Sequence, residues 1–181
     1  MKTYITSDLW LHFGHKKIMS FCPETRVYDD VNHMNESMVL AWNELVDQDD
    51  LVYLLGDIAF LSVTQAVSYL SRLNGRKILI IGNHDHNLLK YQQFCDCFEE
   101  IHQYLEIKYN GRDIVMFHYP ICEWAKMHYG SIHFYGHLHD KKSGLEQYRA
   151  RNVGMDTTGS ILTLLDDAII DALSGKIKEH H

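Results

Sequence analysis

The stretch Lys77-Ile-Leu-Ile-Ile-Gly-Asn-His-Asp85 decides the reading of this chain: an apolar run, then a glycine, then side chains that bind metals or move protons. The same order of events occurs twice more. Leu51-Val-Tyr-Leu-Leu55 runs into Gly56-Asp57, and Ile132-His-Phe-Tyr135 runs into Gly136-His-Leu-His139. Short apolar runs bounded by turn residues read as buried strands, and a glycine at each end lets the backbone turn sharply enough to aim the following side chains at one point. Asp oxygens, an Asn carbonyl and His nitrogens, with no thiolate among them, suit two divalent cations. The pattern is that of a metal centre on the rim of a sheet.

Outward from these runs, strands and helices alternate. Thr3 to Ser7 reads as a first strand. Met34 to Val46 has apolar residues at helical spacing, with Asn32 as its cap. Leu51 to Leu55, Thr64 to Leu73 and Lys77 to Ile81 then read as strand, helix and strand, a βαβαβ run that implies parallel pairing with right-handed crossovers. Beyond it, Tyr104 to Tyr109 and Arg112 to Phe117 flank Asn110-Gly111, a strong hairpin signal. Ile132 to Tyr135 and Ile161 to Leu165 add two more strands, so the second half is expected to be mainly antiparallel.

With 181 residues and 46% apolar composition the chain can bury the core of one domain, taken as residues 1–181 with the last few set aside. No apolar run is long enough to span a membrane and the first residues turn polar too soon for a signal peptide, so a cytoplasmic protein with no membrane partner is expected. Cys22, Cys95, Cys97 and Cys122 lack paired metal-site spacing and read as reduced thiols. A formal charge of -7 and the lack of a Lys/Arg stripe argue against long nucleic acid as a partner. His180 and His181 read as the remnant of a tag.

Taken in order, Asp8 with a histidine shortly after, Gly56-Asp57, Gly82-Asn-His-Asp85, His118 and Gly136-His-Leu-His139 resemble the motifs of the calcineurin-like metallophosphoesterases. Within that superfamily, His12-Phe-Gly-His-Lys16 and His118-Tyr-Pro-Ile-Cys-Glu-Trp124 look most like the small bacterial and phage phosphoesterases. Arg26, Met34-Asn-Glu36 and Trp42-Asn43 match the same subgroup. The resemblance runs from residue 3 to the 150s and implies an α/β fold of two mixed sheets packed as a sandwich with flanking helices.

It also implies roles. Asp57 would bridge two metals; Asp8, a histidine of the first loop and His139 would complete one, and Asn83, His118 and His137 the other. Two metals activate a bridging hydroxide and neutralise phosphoryl charge. His84 would protonate the leaving oxygen, with Asp85 as its orienting partner. Mn²⁺ is the expected activator, and Fe²⁺, Zn²⁺ or Ni²⁺ suit the same donors.

One motif departs from the family. Asp8-Leu-Trp-Leu-His12 puts three residues between the Asp and the His where the family has one, and Trp10 stands at the usual ligand position. An indole does not bind such metals. The reading adopted is a bulged first loop that still delivers His12; His15 in its place, or a lost ligand, are the other two.

Simpler readings stand beside these. A lone histidine after a strand, such as His118, is more often structural than a ligand, and Gly-Asp is common in turns, so both rest on the company of the other motifs. His15, His33, His86, His102, His128 and His133 have no such company, although His15 and His86 lie close enough in sequence to the site to touch substrate. Trp42 and Trp124 read as core or groove-wall residues, and Met34 and Met38 as core positions on a helix. Arg26, Asn35 and Glu36 would face the phosphate pocket, with His15 close by, or else Asn35 and Glu36 merely cap a helix. The expected function is metal-dependent hydrolysis of phosphodiesters or phosphomonoesters, with a small phosphoester or nucleotide as substrate. The alternative is a catalytically weakened metal-site scaffold that acts through protein partners.

Overall fold

Alternate side chains of the first strand divide the molecule. Tyr4 joins Val52, Leu54 and Leu79 against the helices, whereas Ile5 joins Tyr53, Leu55, Ile78 and Ile80 against a second sheet. The two-residue period of a strand produces this division. The computed structural model describes residues 1–9 and 17–179. Its strands are β1 (Thr3–Thr6), β2 (Leu51–Leu54), β3 (Arg76–Ile80), β4 (Glu100–His102), β5 (Tyr104–Tyr109), β6 (Arg112–Phe117), β7 (Ile132–Tyr135), β8 (Ala150–Asn152) and β9 (Thr163–Leu164). Its helices are α1 (Ile18–Phe21), α2 (Val31–Leu45), α3 (Val63–Leu70), α4 (Gln92–Cys95), α5 (Met155–Thr158) and α6 (Leu165–Leu173).

The first sheet has the order β4-β3-β2-β1-β9, with all pairs parallel except β1–β9. The second has the order β5-β6-β7-β8. Both sheets are mixed, and Ile114, Met116, Ile132 and Phe134 of the second pack on the Ile5 face of the first. The β5–β6 hairpin turns at Asn110 and Gly111, with φ of 48 and 78, as a tight turn that twists with its strands requires.

The remainder of the second half differs from expectation. The β6–β7 and β7–β8 pairs are parallel, not antiparallel. Parallel pairing needs a connection of about a dozen residues or more, and residues 118–131 and 136–149 supply two. The first connection covers the outer face of its sheet, burying Trp124 and Met127 against Val115 and Tyr135. The expected strand Ile161 to Leu165 shortens to β9, because Leu165 opens α6 and sends Leu165, Ala168, Ile169 and Ala172 into the inter-sheet core at helical spacing.

Helix α2 buries Val31, Met34, Met38, Val39 and Trp42 on the first sheet. Its cap is Asp30, whose side chain accepts the His33 N–H at 2.8 Å, and not Asn32. Among the described residues no helix is long and apolar enough to cross a membrane.

The sheet order fixes where chemistry can gather. β1, β2 and β3 are parallel neighbours, as are β6, β7 and β8, and the loops leaving their C-terminal ends carry Asp8, Asp57, Asn83, His118, His137, His139 and Asp156. Ser7 pairs with Gly154 in a parallel bridge that joins the two rims.

Candidate metal centre

Close packing at this rim admits only glycine at all three strand ends, and a Cβ on Gly56 would run into the Gly82 backbone. A Cβ on Gly136 would run into Ser7 Oγ and Asp8 Oδ2, and one on Gly82 into the Asp57 carboxylate. Among the described residues, positive φ outside glycine occurs at Asn110 in the hairpin turn, at Lys126, and at Asp8, Asp57, His137 and His139. Left-handed backbone at a non-glycine residue costs on the order of 1 kcal/mol or more. Its recurrence at four expected ligands marks a rim shaped for side-chain aim.

Asp8 is fully buried. Its Oδ2 accepts the Ser7 hydroxyl at 2.9 Å and the His137 N–H at 2.8 Å, while Oδ1 has no hydrogen-bond partner. Burial raises its pKa, and the Asp57 charge adds to that against the pull of His118 and His139. Asp57 Oδ1 accepts the His84 N–H at 2.9 Å, and Oδ2 lies 3.5 Å from His118 Nε2. Burial pushes the Asp57 pKa up, but His118 and the His84 N–H outweigh it and leave it lowered.

His118 donates Nδ1–H to the Leu55 carbonyl at 2.6 Å, which turns Nε2 toward Asn83 Oδ1 at 3.0 Å and Asp57 Oδ2. Burial opposes its charge, yet Asp57, Asp8 and the Leu55 carbonyl raise its pKa to about 9. Donor atoms of Asp57, His118 and His137 all lie within 4.8 Å of one another. His137 has its pKa lowered by burial and then by the neighbouring His118.

His139 belongs to the same rim and is held from behind. Its Nδ1 is 3.0 Å from Asp156 Oδ2, so Nε2 is the nitrogen it could offer to a metal. Asp156 had no motif to reveal it: it follows β8, a strand with no apolar signature, and comes beside His139 only because β8 pairs with β7. The fold also brings Cys22 to His139 and Asp156, with donor atoms within 4.8 Å. Burial and the Asp156 charge push the Cys22 thiol to about 11, and Asp156 is committed to a cation already, so this trio is a packed support and not a second centre.

That cation is Arg26, and its place corrects the expectation of a phosphate-binding arginine. Arg26 Nε lies 3.0 Å from Asp156 Oδ1 with both side chains buried. Burial draws its pKa down to about 9 against the pull of Asp156. A buried guanidinium is kept only by such a partner, so Arg26 fixes Asp156, which in turn fixes His139.

Asp85 also departs from its expected role. It does not orient the His84 ring: Oδ2 accepts the N–H groups of Asp57 at 2.9 Å and Gly82 at 2.8 Å, and Oδ1 accepts that of Ile58 at 2.8 Å. It is a clamp on the two loops that carry Asp57 and Asn83. His84 packs instead against Phe60, with ring centroids 4.4 Å apart, and its Nε2 is 3.9 Å from Asp57 Oδ2. Asn35 is 2% exposed on the inward face of α2 with Oδ1 unbonded, while Glu36 pairs with Arg72 at the surface. His12 and His15, with Trp10, lie outside the described residues.

No family model matches the chain. The uncharacterized protein MJ1445 of Methanocaldococcus jannaschii is 32% identical to it, over 76% of this chain and 69% of the archaeal one. The chain belongs to the MJ1445 family. The gene 66 protein of Mycobacterium phage L5 is 28% identical over 89% of each chain, and that of phage D29 is 27% identical over 84% of this chain and 87% of its own. Among solved structures, the protein of unknown function AQ665 from Aquifex aeolicus superposes with a TM-score of 0.72, at 23% identity, over 95% of this chain and 98% of its own. That likeness extends the fold of the MJ1445 family member described above to a bacterial protein.

Proposed function

We propose that this member of the MJ1445 family is a calcineurin-like metallophosphoesterase, hydrolysing phosphoesters at two divalent metal ions. The observation that carries the reading is the gathering of Asp57, His118 and His137 with donor atoms within 4.8 Å, on the same rim as His139 and as Asp8, whose Oδ1 is buried and unbonded. A buried, unpartnered acceptor costs about 1–3 kcal/mol, more when charged. A cation is the partner this oxygen fits, because donors already occupy Oδ2. The outer support argues the same way: the Leu55 carbonyl and Asp156 each take one ring nitrogen of His118 and His139, the arrangement that fixes tautomer and aim in metal ligands.

In this reading Asp8 and His139 would hold one ion, with His12 the first-loop ligand that the sequence suggests, Asn83, His118 and His137 would hold the other, and Asp57 would serve both. When bound, such ions activate water and neutralise the phosphoryl charge. The chain's own part is to aim and to transfer a proton. Asp85 sets the spacing between the Asp57 and Asn83 loops, Arg26 and Asp156 keep His139 turned inward, and His84 gives a proton to the leaving oxygen. The His84 N–H bond to Asp57 Oδ1 fixes the distance between proton donor and centre.

Hydrolysis of methyl p-nitrophenyl phosphate and p-nitrophenyl phosphate in Mn²⁺ tests the proposal. Turnover of at least one, lost in Asp57→Asn, is expected. Failure on both by protein that carries its metals would instead favour a scaffold acting through partners.

A further inference from the structure

Asn83 and His86 line two clefts at once. One, of about 420 Å³, also takes in His84, Phe60, Lys90 and Tyr91. The other, of about 200 Å³, takes in Gly82, Gln103, Phe117 and Tyr119. The two therefore meet at Asn83 and His86, beside the candidate centre.

Both arms have aromatic walls. Phe60 is 38% exposed and Tyr91 50% in the first, and Tyr119 is 37% exposed in the second. Tyr119 stands edge-on to His137 at 4.6 Å, Phe117 follows it at 5.6 Å, and Tyr104 lies 6.2 Å further along the β5–β6 pair. Single exposed aromatics are ordinary. Aromatic walls in two clefts that meet beside a carboxylate–histidine cluster, interleaved with polar side chains, instead suit flat heterocycles that stack on a ring and hydrogen-bond at their edges.

A phosphomonoester has one substituent and would use one arm. A groove with two arms meeting at Asn83 and His86, beside the centre, fits a phosphoryl group substituted on both sides. Lys90, whose Nζ donates to Asn87 Oδ1 at 2.9 Å, is a cation for one outlying phosphate. A chain of charge -7 offers no track for a long polyanion.

We propose that this groove holds a short nucleotide chain, with the scissile phosphodiester at Asn83 and His84 and a base in each arm, one at Phe60 and Tyr91, the other at Phe117 and Tyr119. The inference rests on the phosphoesterase reading and adds its substrate class. His84 lines the larger arm, so that arm takes the leaving nucleoside. Water adds to phosphorus, the bond from phosphorus to the leaving sugar oxygen breaks, and that oxygen takes the His84 proton. The proton released by the water restores His84, and the products are a nucleotide monoester and a free sugar hydroxyl.

Two readouts test the groove on Tyr91→Ala, which opens one arm, and on Tyr119→Leu, which keeps bulk against His137 but removes the flat face. The first is binding of a thymidylyl-thymidine phosphorothioate, which resists hydrolysis, measured by calorimetry in Mn²⁺. The second is the ratio of kcat/KM for thymidylyl-thymidine to that for methyl p-nitrophenyl phosphate. Each substitution is expected to weaken binding, and to lower the ratio, about tenfold. Unchanged binding and ratio in both variants, or thymidine monophosphate bound as tightly as the dinucleotide, would overturn the groove even where methyl p-nitrophenyl phosphate is hydrolysed. Binding weakened in both variants with neither ester hydrolysed would uphold the groove and sink the phosphoesterase reading.

Discussion

Asp85 Oδ2 accepts the backbone N–H of Asp57 at 2.9 Å, although the two residues stand on different strand-end loops. The same carboxylate takes the N–H groups of Gly82 and Ile58, so one buried side chain sets the separation of the loops that aim Asp57 and Asn83. Burial raises its pKa, and the three N–H bonds oppose that rise.

Replacing Asp85 by Asn puts an NH₂ group against at least one of those donors. Breaking a buried network in this way costs on the order of 2–4 kcal/mol. Asp85→Asn should unfold at lower denaturant by that amount and hold less Mn²⁺. Wild-type stability with loss confined to kcat would instead return Asp85 to a partnership with the His84 ring.

Asp156 is tested through the metal rather than the fold. Asp156→Asn can still hydrogen-bond to His139 Nδ1 but removes the charge that pairs with Arg26. Loss of such a supporting carboxylate typically lowers metal affinity about 10–100-fold. Competition with a chelator dye reads the affinity directly, and an unchanged value would mean that His139 is not a ligand.

His84→Ala should lower kcat by about 10²-fold for an alkyl leaving group and much less for nitrophenolate, which needs little protonation. Metal content should be unchanged. Equal losses with both leaving groups would remove His84 from the proton transfer.

His133 offers a pH test away from the centre. It is fully buried between Trp124 and Tyr135, its Nε2 accepts the Ile121 N–H at 3.4 Å, and burial lowers its pKa to about 4. The folded value lies below the ordinary 6.5, so below that pH the unfolded chain binds the proton more readily. The stability contribution is present above pH 6.5 and is lost as the pH falls toward 4. Between pH 7 and 5 the loss is about 2 kcal/mol. His133→Gln should remove that share of the acid sensitivity, and denaturant melts of both proteins at the two pH values give the difference.

Residues next to a glycine at the end of an apolar run were legible because strand, turn and candidate ligand are contiguous: Asp57, Asn83, His137 and His139 lie at one rim. Asp156 was not, since its strand β8 is three residues without apolar alternation and gains its meaning only beside β7. Asp85 was seen but misplaced. Adjacency to His84 suggested a side-chain pair, whereas the helical turn at Asp85–Lys90 points the carboxylate back into the rim. Arg26 differs likewise: its loop reads as one that opens towards the phosphate pocket, whereas its guanidinium is buried against Asp156. The parallel pairing of β6 and β7 was hidden by a connection whose crossover contains no helical period to announce it. The Phe60 and Tyr119 walls have no sequence signature, since exposure of a ring is a tertiary property.

Counting metal on the purified protein after Mn²⁺ loading and removal of loosely held ions tests the central claim most directly. Two ions per chain are expected in the wild type, and fewer than one in Asp57→Asn, because that carboxylate serves both positions. A single ion per chain, or a count of two that Asp57→Asn leaves unchanged, would contradict a binuclear centre bridged by Asp57.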